Sequence, residues 1–354
     1  MNTPTVYIVD LEAIETRYTG EWKIHLPKQM KQAGFNVEVV EGPSDLPNNT
    51  TPGMFLNFSA TNIYKSVQAQ KIADLFSRNQ VKDGDYFLFT DAWNPTVIQL
   101  RYMAELLGVK IKIGGLWHAG SYDPQDGLGQ RIGAAKWVRN AEESMYYCYD
   151  HNFFATDFHI ELFEKSFPDI EKSLAYRVGW PMEYLEDSLC QYQGMKKRDL
   201  ILFPHRISAE KQPEIFRDLK NSLPQYEFVM CQEQELTKNE YHNLLGEAKM
   251  VFSANLQETL GISWYEGVLV NTMPFVPDRL SYIEMSELEF KYPSYWTENF
   301  DSYLENKDML IKRITTLMNN YYDYLPALLK QKRRLENQFF SGNMLYEVIK
   351  NGVN

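Results

Sequence analysis

"LILFPHRISAEKQPEIFRDLKNSL" (200–223) runs from a short apolar segment through a polar loop into an amphipathic segment. Its start is typical of a buried strand, and its apolar residues after Pro213 recur with the period of a helix. A second apolar run, YEFVMC (226–231), follows closely. A helix between two short buried strands indicates a βαβ unit, and such units build a parallel sheet.

The alternation of strands and helices extends in both directions from this unit. Downstream it continues to MPFVP (273–277), and an earlier series runs from TVYIVD (5–10) to about residue 182. In that earlier series GMFLNFS (53–59) is predicted to be a strand. Two successive series predict an α/β fold of two doubly wound Rossmann-like domains, which face each other across a cleft at the carboxyl ends of their strands.

A polar, poorly periodic stretch between the two series predicts the domain boundary. We expect an N-terminal domain at 1–185, a linker at 186–198 and a C-terminal domain at 199–335. Residues 336–354 are predicted to be a C-terminal helix, which can cross back to the N-terminal domain. The length of 354 residues suits two domains better than one.

Charge and cysteine content restrict the class of protein. The formal net charge of −11 argues against a surface for unselective nucleic-acid binding, although a local basic groove stays open. The cysteines are isolated from one another and from histidines, which predicts neither a zinc site nor a disulfide framework. No signal peptide and no apolar run of roughly 20 residues is recognised. We therefore expect a cytoplasmic protein without a membrane partner, and leave its oligomeric state open.

Several common site motifs are absent. The sequence has no G-x-G-x-x-G after the first strand, no Walker A loop, no H-E-x-x-H and no G-x-S-x-G. Asp83-Gly84-Asp85 has the Asp-x-Asp pattern that can hold a metal and a diphosphate, but it precedes a strand instead of following one, and is interpreted as a turn. No metal site is predicted.

Two acidic residues, Glu258 and Glu266, lie eight positions apart in the otherwise apolar segment 255–270. An unpaired buried carboxylate is costly, so both should have partners. If a helix begins near Leu260, its N-terminus favours an anion, and the two glutamates lie about two turns apart on one side. Hydroxyls donate hydrogen bonds to carboxylates, so a nucleotide sugar, with its phosphates and hydroxyls, is a ligand that fits.

Two cations should lie at the same sheet edge. Arg206 and Lys211 are five positions apart in the loop between a predicted strand and helix, so both can reach one ligand. Arginine offers a planar fork and lysine a point charge, a suitable pair for two phosphates. The alternative is an ordinary surface pair at a helix start.

These residues together resemble the signature of retaining glycosyltransferases of the GT-B fold, the superfamily of glycogen synthase and sucrose synthase. The matching features are two glutamates with seven residues between them, Gly261 in that interval, and HRISAEK (205–211). Departures are Gly20-Glu21, where many members have two glycines, and Asn271, where glycine is usual.

The resemblance implies a role for each residue. Glu258 would contact the hydroxyls of the donor sugar, Glu266 the ribose, and the two cations the leaving diphosphate. The expected donor-binding residues are Gly20, Arg206, Lys211, Glu258, Thr259, Leu260, Gly261 and Glu266. No cofactor is implied, because the nucleotide sugar, UDP-glucose for example, is a co-substrate.

The resemblance also implies the reaction: transfer with retention, without a metal, in which the leaving phosphate deprotonates the acceptor on the same face. His118 in IGGLWHAGSYDP matches the histidine that the family places near the donor sugar, and the alternative is a structural histidine. It joins Arg206, Lys211 and Glu258 as an expected catalytic residue. Asp123 is a candidate on the acceptor side, with a turn as its alternative, and Asp91 is another. His151 and His159 are interpreted as structural.

The acceptor is the least determined part. MPFVPDRLSYIEM (273–285) is similar to a stretch of queuosine-tRNA mannosyltransferases, and the N-terminal half resembles glycosyltransferases encoded by bacteriophages. The leading hypothesis is therefore a hydroxymethylated pyrimidine base in phage DNA, modified inside the bacterial host. The alternatives are a glycan, lipopolysaccharide or small-molecule acceptor, and a sugar-nucleotide epimerase or non-catalytic binder of the same fold.

Overall fold

The computed structural model describes residues 4–13, 18–47, 49–51 and 56–353. The chain divides into two compact units. Unit 1 comprises Met1–Met182 together with Ser341–Asn354, and unit 2 comprises Glu183–Phe340.

Unit 1 contains one parallel sheet of six strands in the order β2-β1-β3-β4-β5-β6. Because β2 and β3 lie on opposite sides of β1, the chain reverses its direction of travel across the sheet there, as in doubly wound folds. The strands are β1 (Thr5–Val9), β2 (Asn36–Val40), β3 (Tyr86–Phe89), β4 (Lys112–Leu116), β5 (His151–Phe154) and β6 (Ala175–Arg177).

Helices connect these strands, as parallel pairing requires. They are α1 (Tyr18–Gln32), α2 (Phe58–Ser77), α3 (Thr96–Leu107), α4 (Gly127–Ile132), α5 (Lys136–Cys148) and α6 (Asp157–Ser166). The core is largely aromatic: Trp117 stacks on Phe154 at a centroid distance of 6.3 Å and packs against Phe163 at 5.0 Å. All four residues of β3 are buried, which is why the sequence YFLF reads as a continuous apolar run.

Unit 2 contains a parallel sheet of five strands in the order β11-β10-β9-β7-β8. The chain again reverses across the sheet, this time between β7 and β9. The strands are β7 (Arg198–Phe203), β8 (Glu227–Met230), β9 (Ala248–Phe252), β10 (Met273–Pro277) and β11 (Lys291–Tyr292). Both sheets confirm the predicted α/β class with two doubly wound halves.

The helices of unit 2 surround its sheet, and the last helix of the described chain returns to unit 1. Those of unit 2 are α7 (Tyr184–Leu189), α8 (Pro213–Ser222), α9 (Lys238–Glu247), α10 (Ile262–Leu269), α11 (Tyr282–Met285), α12 (Phe300–Asn319) and α13 (Leu325–Gln338). Helix α14 (Asn343–Gly352) belongs to unit 1, where Tyr346 packs edge-on against Phe35 at 6.0 Å.

Two local predictions differ from the structure. The stretch 186–198, expected to be a linker, contains the end of α7 and a 3-10 turn at Cys190–Tyr192. The strand expected at 53–59 is wrong at its end, because α2 begins at Phe58, where the side chain of Asn57 accepts a hydrogen bond from the amide of Ala60 and caps the helix. Residues 52–55 of that stretch lie outside the described residues.

Candidate functional site

The carboxyl end of the unit 2 sheet carries a buried lysine next to a carboxylate. Lys211 lies in a 3-10 turn between β7 and α8, and its side chain is only 6% exposed. Its Nζ lies 3.5 Å from Glu258 Oε2, and it donates a hydrogen bond to the carbonyl oxygen of Gln257. The structure therefore brings together two of the residues that the sequence singled out, from loops 47 positions apart along the chain (258 − 211).

Asn255, which the sequence analysis did not single out, orients the glutamate. Its Nδ2 donates to Glu258 Oε2 at 3.3 Å and to the Tyr282 hydroxyl at 3.0 Å. That hydroxyl also lies 3.1 Å from Ser253 Oγ, so the residue that follows β9 and the first residue of α11 both support the glutamate loop. Asn255 is fully buried, and its Oδ1 has no hydrogen-bond partner among the described residues.

Two further side chains hold the backbone of the same loop. Gln212 Nε2 donates to the carbonyl oxygens of Ala254 and Thr297, both at 2.6 Å. Arg279 donates to the carbonyl oxygens of Ala254 and Asn255, each at 2.7 Å. Gln212 itself adopts a left-handed conformation with φ of 51°, which non-glycine residues seldom adopt and which recurs at functional sites. The loop is thus fixed by side chains from two neighbouring elements.

Gly261 lies where the loop turns into α10. Its φ is +88°, and a Cβ at this position would lie 2.1 Å from Trp264 Nε1, so only glycine fits. Helix α10 begins at Ile262, directly after it, and Thr259 and Leu260 belong to the preceding bend. The prediction that both glutamates lie on one helix face is therefore wrong, because Glu258 precedes the helix.

Glu266 lies within α10 and is partly buried. The hydroxyl of Tyr241 donates to its Oε2 at 2.9 Å. Burial raises the pKa of Glu266 to about 7, although this hydrogen bond and the charge of Lys238 act in the opposite direction. A carboxylate with one protein donor at such a position can accept a hydrogen bond from a ligand hydroxyl.

Arg206 differs from Lys211 in being accessible. Its side chain is 47% exposed, and Nη2 lies 3.2 Å from Glu210 Oε1. Ser208 Oγ donates to the same oxygen at 2.6 Å, and the main chain of Glu210 is fixed by the amide of Leu256 at 2.8 Å. The two predicted cations thus follow the same strand, one buried and one on the surface.

Several buried polar atoms of residues near this sheet edge have no hydrogen-bond partner among the residues that the structure describes. They are His205 Nε2, Asn255 Oδ1, Trp264 Nε1 and Ser281 Oγ. Burial and the nearby charge of Lys211 lower the pKa of His205 to about 3, so its ring is neutral. An unsatisfied buried polar atom costs about 1–3 kcal/mol, so a ligand or a water molecule that completes the hydrogen bonding of any of these atoms is favoured.

In unit 1, His118 and Asp91 lie at the carboxyl ends of neighbouring strands. His118 Nε2 is 2.6 Å from the carbonyl oxygen of Thr90, so this nitrogen carries the proton. Burial lowers the pKa of His118 below its usual value despite the nearby charge of Asp91. Lys65 Nζ lies 3.1 Å from Asp91 Oδ2, and this charge keeps the pKa of Asp91 low against the opposing effect of burial.

The two remaining candidates of unit 1, Asp123 and Gly20, lie in a turn and at a helix start. Asp123 is buried, and its Oδ1 accepts a hydrogen bond from the amide of Gln125 at 2.9 Å, the local pattern of a turn. Gly20 lies in the first turn of α1.

The residues interpreted as structural behave as such. Asp83 Oδ1 accepts from the amide of Lys110, and Asp85 accepts from the amides of Thr5 and Lys82, all at 2.8 Å, so both carboxylates hold a turn. His159 Nε2 lies 2.6 Å from the Tyr122 hydroxyl, and His151 Nδ1 lies 2.9 Å from the Tyr86 hydroxyl. Within the described ranges, no group of three His, Cys, Asp or Glu residues could hold a metal. No helix in those ranges is long and apolar enough to cross a membrane.

Comparison with solved structures finds several proteins of similar fold. Sucrose-phosphate synthase from Thermosynechococcus elongatus superposes with a TM-score of 0.63 at 10% identity, covering 99% of this chain and 98% of the other. The catalytic domain of starch synthase IV from Arabidopsis thaliana, bound to ADP and acarbose, gives 0.61 at 10% identity and 100% coverage of both. Anabaena HepE in complex with UDP-glucose gives 0.57 at 9% identity, covering 99% of each chain.

Comparisons of sequence give a different result. No protein-family model and no curated protein sequence matches the chain. The structural likeness therefore concerns the fold, which is the two-domain α/β architecture of GT-B glycosyltransferases over the whole length of the chain.

Proposed function

We propose that the protein is a glycosyltransferase that takes a sugar from a nucleotide-diphosphate donor bound at the carboxyl edge of the unit 2 sheet. The observation that carries the proposal is the pairing of buried Lys211 with Glu258, at 3.5 Å, beside the start of α10. Two loops converge to hold a cation, a carboxylate and a set of helix amides at one edge. These are the groups that a diphosphate and a sugar require together.

Cleavage of the donor creates negative charge on the leaving diphosphate. Lys211 and Arg206 would stabilise that charge, and the first amides of α10 would add their partial positive charge. Lys211 is shielded from water, so its attraction for a phosphate is stronger than that of an exposed lysine. Arg206, on the surface, can leave Glu210 and swing to the ligand, since an exposed ion pair contributes little.

The carboxylates would bind hydroxyls of the same donor. Glu258 is held by Asn255 and would accept a hydrogen bond from the sugar, while Glu266 would accept one from the ribose. That second interaction favours the ionised carboxylate, which burial otherwise disfavours. Thr259, Leu260 and Gly261 would line the donor through their backbone, and Gly20 is proposed as a donor contact from unit 1.

We propose transfer with retention, without a metal, since cationic side chains are available for the leaving group. His118, Asp91 and Asp123 are proposed for the acceptor side. UDP-glucose is the first donor to test, because HepE, a protein of the same fold, is seen in complex with it. These parts of the proposal rest on the resemblance of the motifs and on the chemistry of the residues.

For the acceptor we propose a hydroxyl, with a hydroxymethylated pyrimidine in DNA as the first to test. Its support is the resemblance of DAWNP (91–95) and WHAGSYDP (117–124) to phage-encoded enzymes. The net charge of −11 weighs against DNA, so binding would need a local basic groove and should weaken steeply with salt. Glycans and small alcohols are the alternative acceptors, and an epimerase or a binder is the alternative function.

The decisive experiment incubates the protein with UDP-glucose in EDTA, with and without DNA that contains hydroxymethylcytosine. We expect release of UDP in both mixtures, by hydrolysis of the donor where DNA is absent. In the mixture with DNA, mass spectrometry after digestion should detect a hexose added to the hydroxymethylated nucleoside. NMR of the anomeric proton would report retention. Binding of UDP without any cleavage would contradict a transferase and favour a binder, and conversion of the nucleotide sugar without release of UDP would favour an epimerase.

A further inference from the structure

Unit 1 holds a buried carboxylate of which only one oxygen is hydrogen-bonded. Asp10 follows β1 directly and is 6% exposed. Its Oδ1 accepts hydrogen bonds from the Tyr64 hydroxyl at 2.7 Å and from Gln68 Nε2 at 3.1 Å. Its Oδ2 is buried and accepts no well-directed hydrogen bond from the described residues, although Lys23 Nζ lies 3.4 Å from it. A buried carboxylate oxygen without a hydrogen bond has a larger desolvation penalty than a neutral group in the same situation.

The ammonium of Lys23 is shared between this oxygen and a second carboxylate. Lys23 Nζ lies 3.4 Å from Asp10 Oδ2 and closer, at 2.8 Å, to Glu41 Oε2. Lys23 is 28% exposed and Glu41 is 51% exposed, so the lysine stands between the interior and the surface. Lys23 Nζ also donates to the Tyr64 hydroxyl at 3.4 Å, so its three protons face three oxygens. The two contacts at 3.4 Å are long, and a ligand hydroxyl beside Asp10 can replace one of them.

A small cavity adjoins these two side chains. Its volume is about 10 Å³, enough for one water-sized group. Besides Asp10 and Lys23 its walls include Thr19, Trp22 and Thr90. It lies at the carboxyl end of β1, at the point where the strand order of unit 1 reverses, which is where doubly wound sheets bind ligands.

We propose that this cavity receives one neutral hydroxyl group of the acceptor, which donates to Asp10 Oδ2 and accepts from Lys23 Nζ. The assignment to an acceptor rests on the proposed transferase function, whereas the hydroxyl site rests on the geometry alone. Asp10 would then be a binding residue of unit 1 that holds the acceptor by a hydroxyl.

The charges around the cavity select a hydroxyl over an ion. A carboxylate or phosphate would meet the negative charges of Asp10 and Glu41 at close range, and an ammonium would meet Lys23. A hydroxyl is both donor and acceptor, so it can donate to Asp10 Oδ2 and accept from the lysine that now makes only a long contact with that oxygen. Burial raises the pKa of Asp10 to about 6, which still leaves it ionised at neutral pH.

The protein around Asp10 is arranged to keep it in place. Gln68 Nε2 also donates to the carbonyl oxygens of Asp10 and Val40, each at 2.8 Å, which ties the ends of β1 and β2 to α2. The hydrogen bond from Tyr64 fixes the rotation of the carboxyl group. A carboxylate held this rigidly binds a ligand group with little loss of conformational entropy.

The test uses the indole resonance of Trp22 as a reporter. The protein is labelled with 15N-tryptophan, the resonance is assigned with Trp22→Phe, and the sample is titrated with ethylene glycol, glucose, acetate and methylammonium. We expect saturable shifts with the two neutral alcohols and none with the two ions. A structural water in the cavity would give no saturable shift with any probe, and that result would overturn the proposal.

Variants locate the response. Asp10→Asn keeps an oxygen for Tyr64 but turns the other atom into a donor, and should weaken alcohol binding roughly tenfold, as expected for a hydrogen bond to a charged group. Glu41→Gln, on the exposed side of the same lysine, should change it less than about twofold. An unchanged affinity in Asp10→Asn would refute the site. If Asp10→Asn does not fold, Lys23→Met is used in its place. We expect Lys23→Met to bind the alcohols more weakly, and an unchanged affinity would again refute the site.

A kinetic measurement ties the site to the acceptor. With UDP-glucose as donor, Asp10→Asn should raise KM for ethylene glycol or glucose as acceptor by a larger factor than it slows hydrolysis of the donor by water. Equal loss of hydrolysis and transfer would contradict an acceptor role. Absence of UDP-glucose cleavage by the wild type would refute the proposed function, whereas the NMR titration would still decide the hydroxyl site.

Discussion

The carboxyl edges of the two sheets are built alike in backbone and unlike in chemistry. Both follow parallel strands at a reversal of strand order. In unit 2 the edge presents two cations, Lys211 and Arg206, and the amides that begin α10, with the single carboxylate of Glu258 beside Lys211. In unit 1 it presents two carboxylates, Asp10 and Asp91, each with a lysine beside it. In the function proposed above, the same architecture would serve an anionic ligand in one unit and a hydroxyl in the other.

The two edges also differ in how their loops are held. In unit 2, side chains of Gln212 and Arg279 donate to loop carbonyls, so the backbone is fixed and the functional side chains project from it. In unit 1, Tyr64 and Gln68 donate to the carboxylate of Asp10 itself. Substitution of a charged residue should therefore alter chemistry in unit 2 and ligand preference in unit 1.

The largest effect is expected for Lys211→Met, which removes the buried cation and retains most of the volume. The rate of UDP-glucose cleavage should fall about 10²- to 10³-fold, the usual effect of removing one charge-stabilising group. Lys220→Met, at an exposed position of α8, is the matched control and should leave the rate unchanged. Retention of more than about a tenth of the wild-type rate by Lys211→Met would remove the lysine from the mechanism.

A smaller loss is expected for Glu258→Gln. The amide keeps an oxygen for Asn255 but weakens the hydrogen bond to a sugar hydroxyl, so kcat should fall about 10- to 100-fold. Steady-state kinetics with UDP-glucose measure the loss, and Glu214→Gln, at an exposed position of α8, is the control. The affinity for UDP, which lacks the sugar, should stay the same. Weaker binding of UDP would assign the glutamate to the nucleotide.

Arg206→Gln should have a moderate effect, because an exposed arginine is screened by water. We expect Arg206→Gln to cleave UDP-glucose about tenfold more slowly than the wild type. The rate of the wild type should itself fall as ionic strength rises, because salt screens the exposed arginine. Arg217→Gln is the control, since Arg217 is likewise half exposed and paired with an acid, Glu233, at 2.9 Å. Equal effects of the two substitutions would show that only overall charge matters.

The smallest effect concerns stability. Burial gives Glu266 a pKa of about 7 in the folded protein against 4.5 for the free side chain, so the folded state binds the extra proton between these values. The free energy of unfolding of the wild type should then fall as pH rises from about 4.5 to 7. Glu266→Gln stays neutral and lacks this fall, so its Tm should exceed that of the wild type by a few degrees at pH 8, but not at pH 4. Parallel Tm curves for the two proteins would contradict the shift.

The sequence predicted the sheets well because their signal is local. Runs such as YFLF and LILF are buried along their whole length, and each is followed by a helical period. It also placed Lys211 and Glu258 at one sheet edge, since residues that follow parallel strands gather there.

The supporting contacts could not be predicted because they join distant parts of the chain. Gln212 bonds to a carbonyl 85 positions away, and Arg279 to one 25 positions away. Asp10 could not be distinguished from an ordinary turn residue after a strand, because its burial depends on Tyr64, 54 positions further on. The start of α10 was misjudged by two residues, since the left-handed conformation of Gly261 ends the loop only there.

Helix α14 has a consequence for how the molecule is made. It completes unit 1, with Leu345 and Ile349 fully buried, yet it is encoded after the whole of unit 2. During synthesis, which proceeds at about 5–20 residues per second, unit 2 can fold while unit 1 still lacks its last piece. Until α14 is synthesised, the surface of unit 1 that Leu345 and Ile349 cover stays exposed to solvent. A premature stop codon after residue 340 would therefore destabilise unit 1, most of which is translated first.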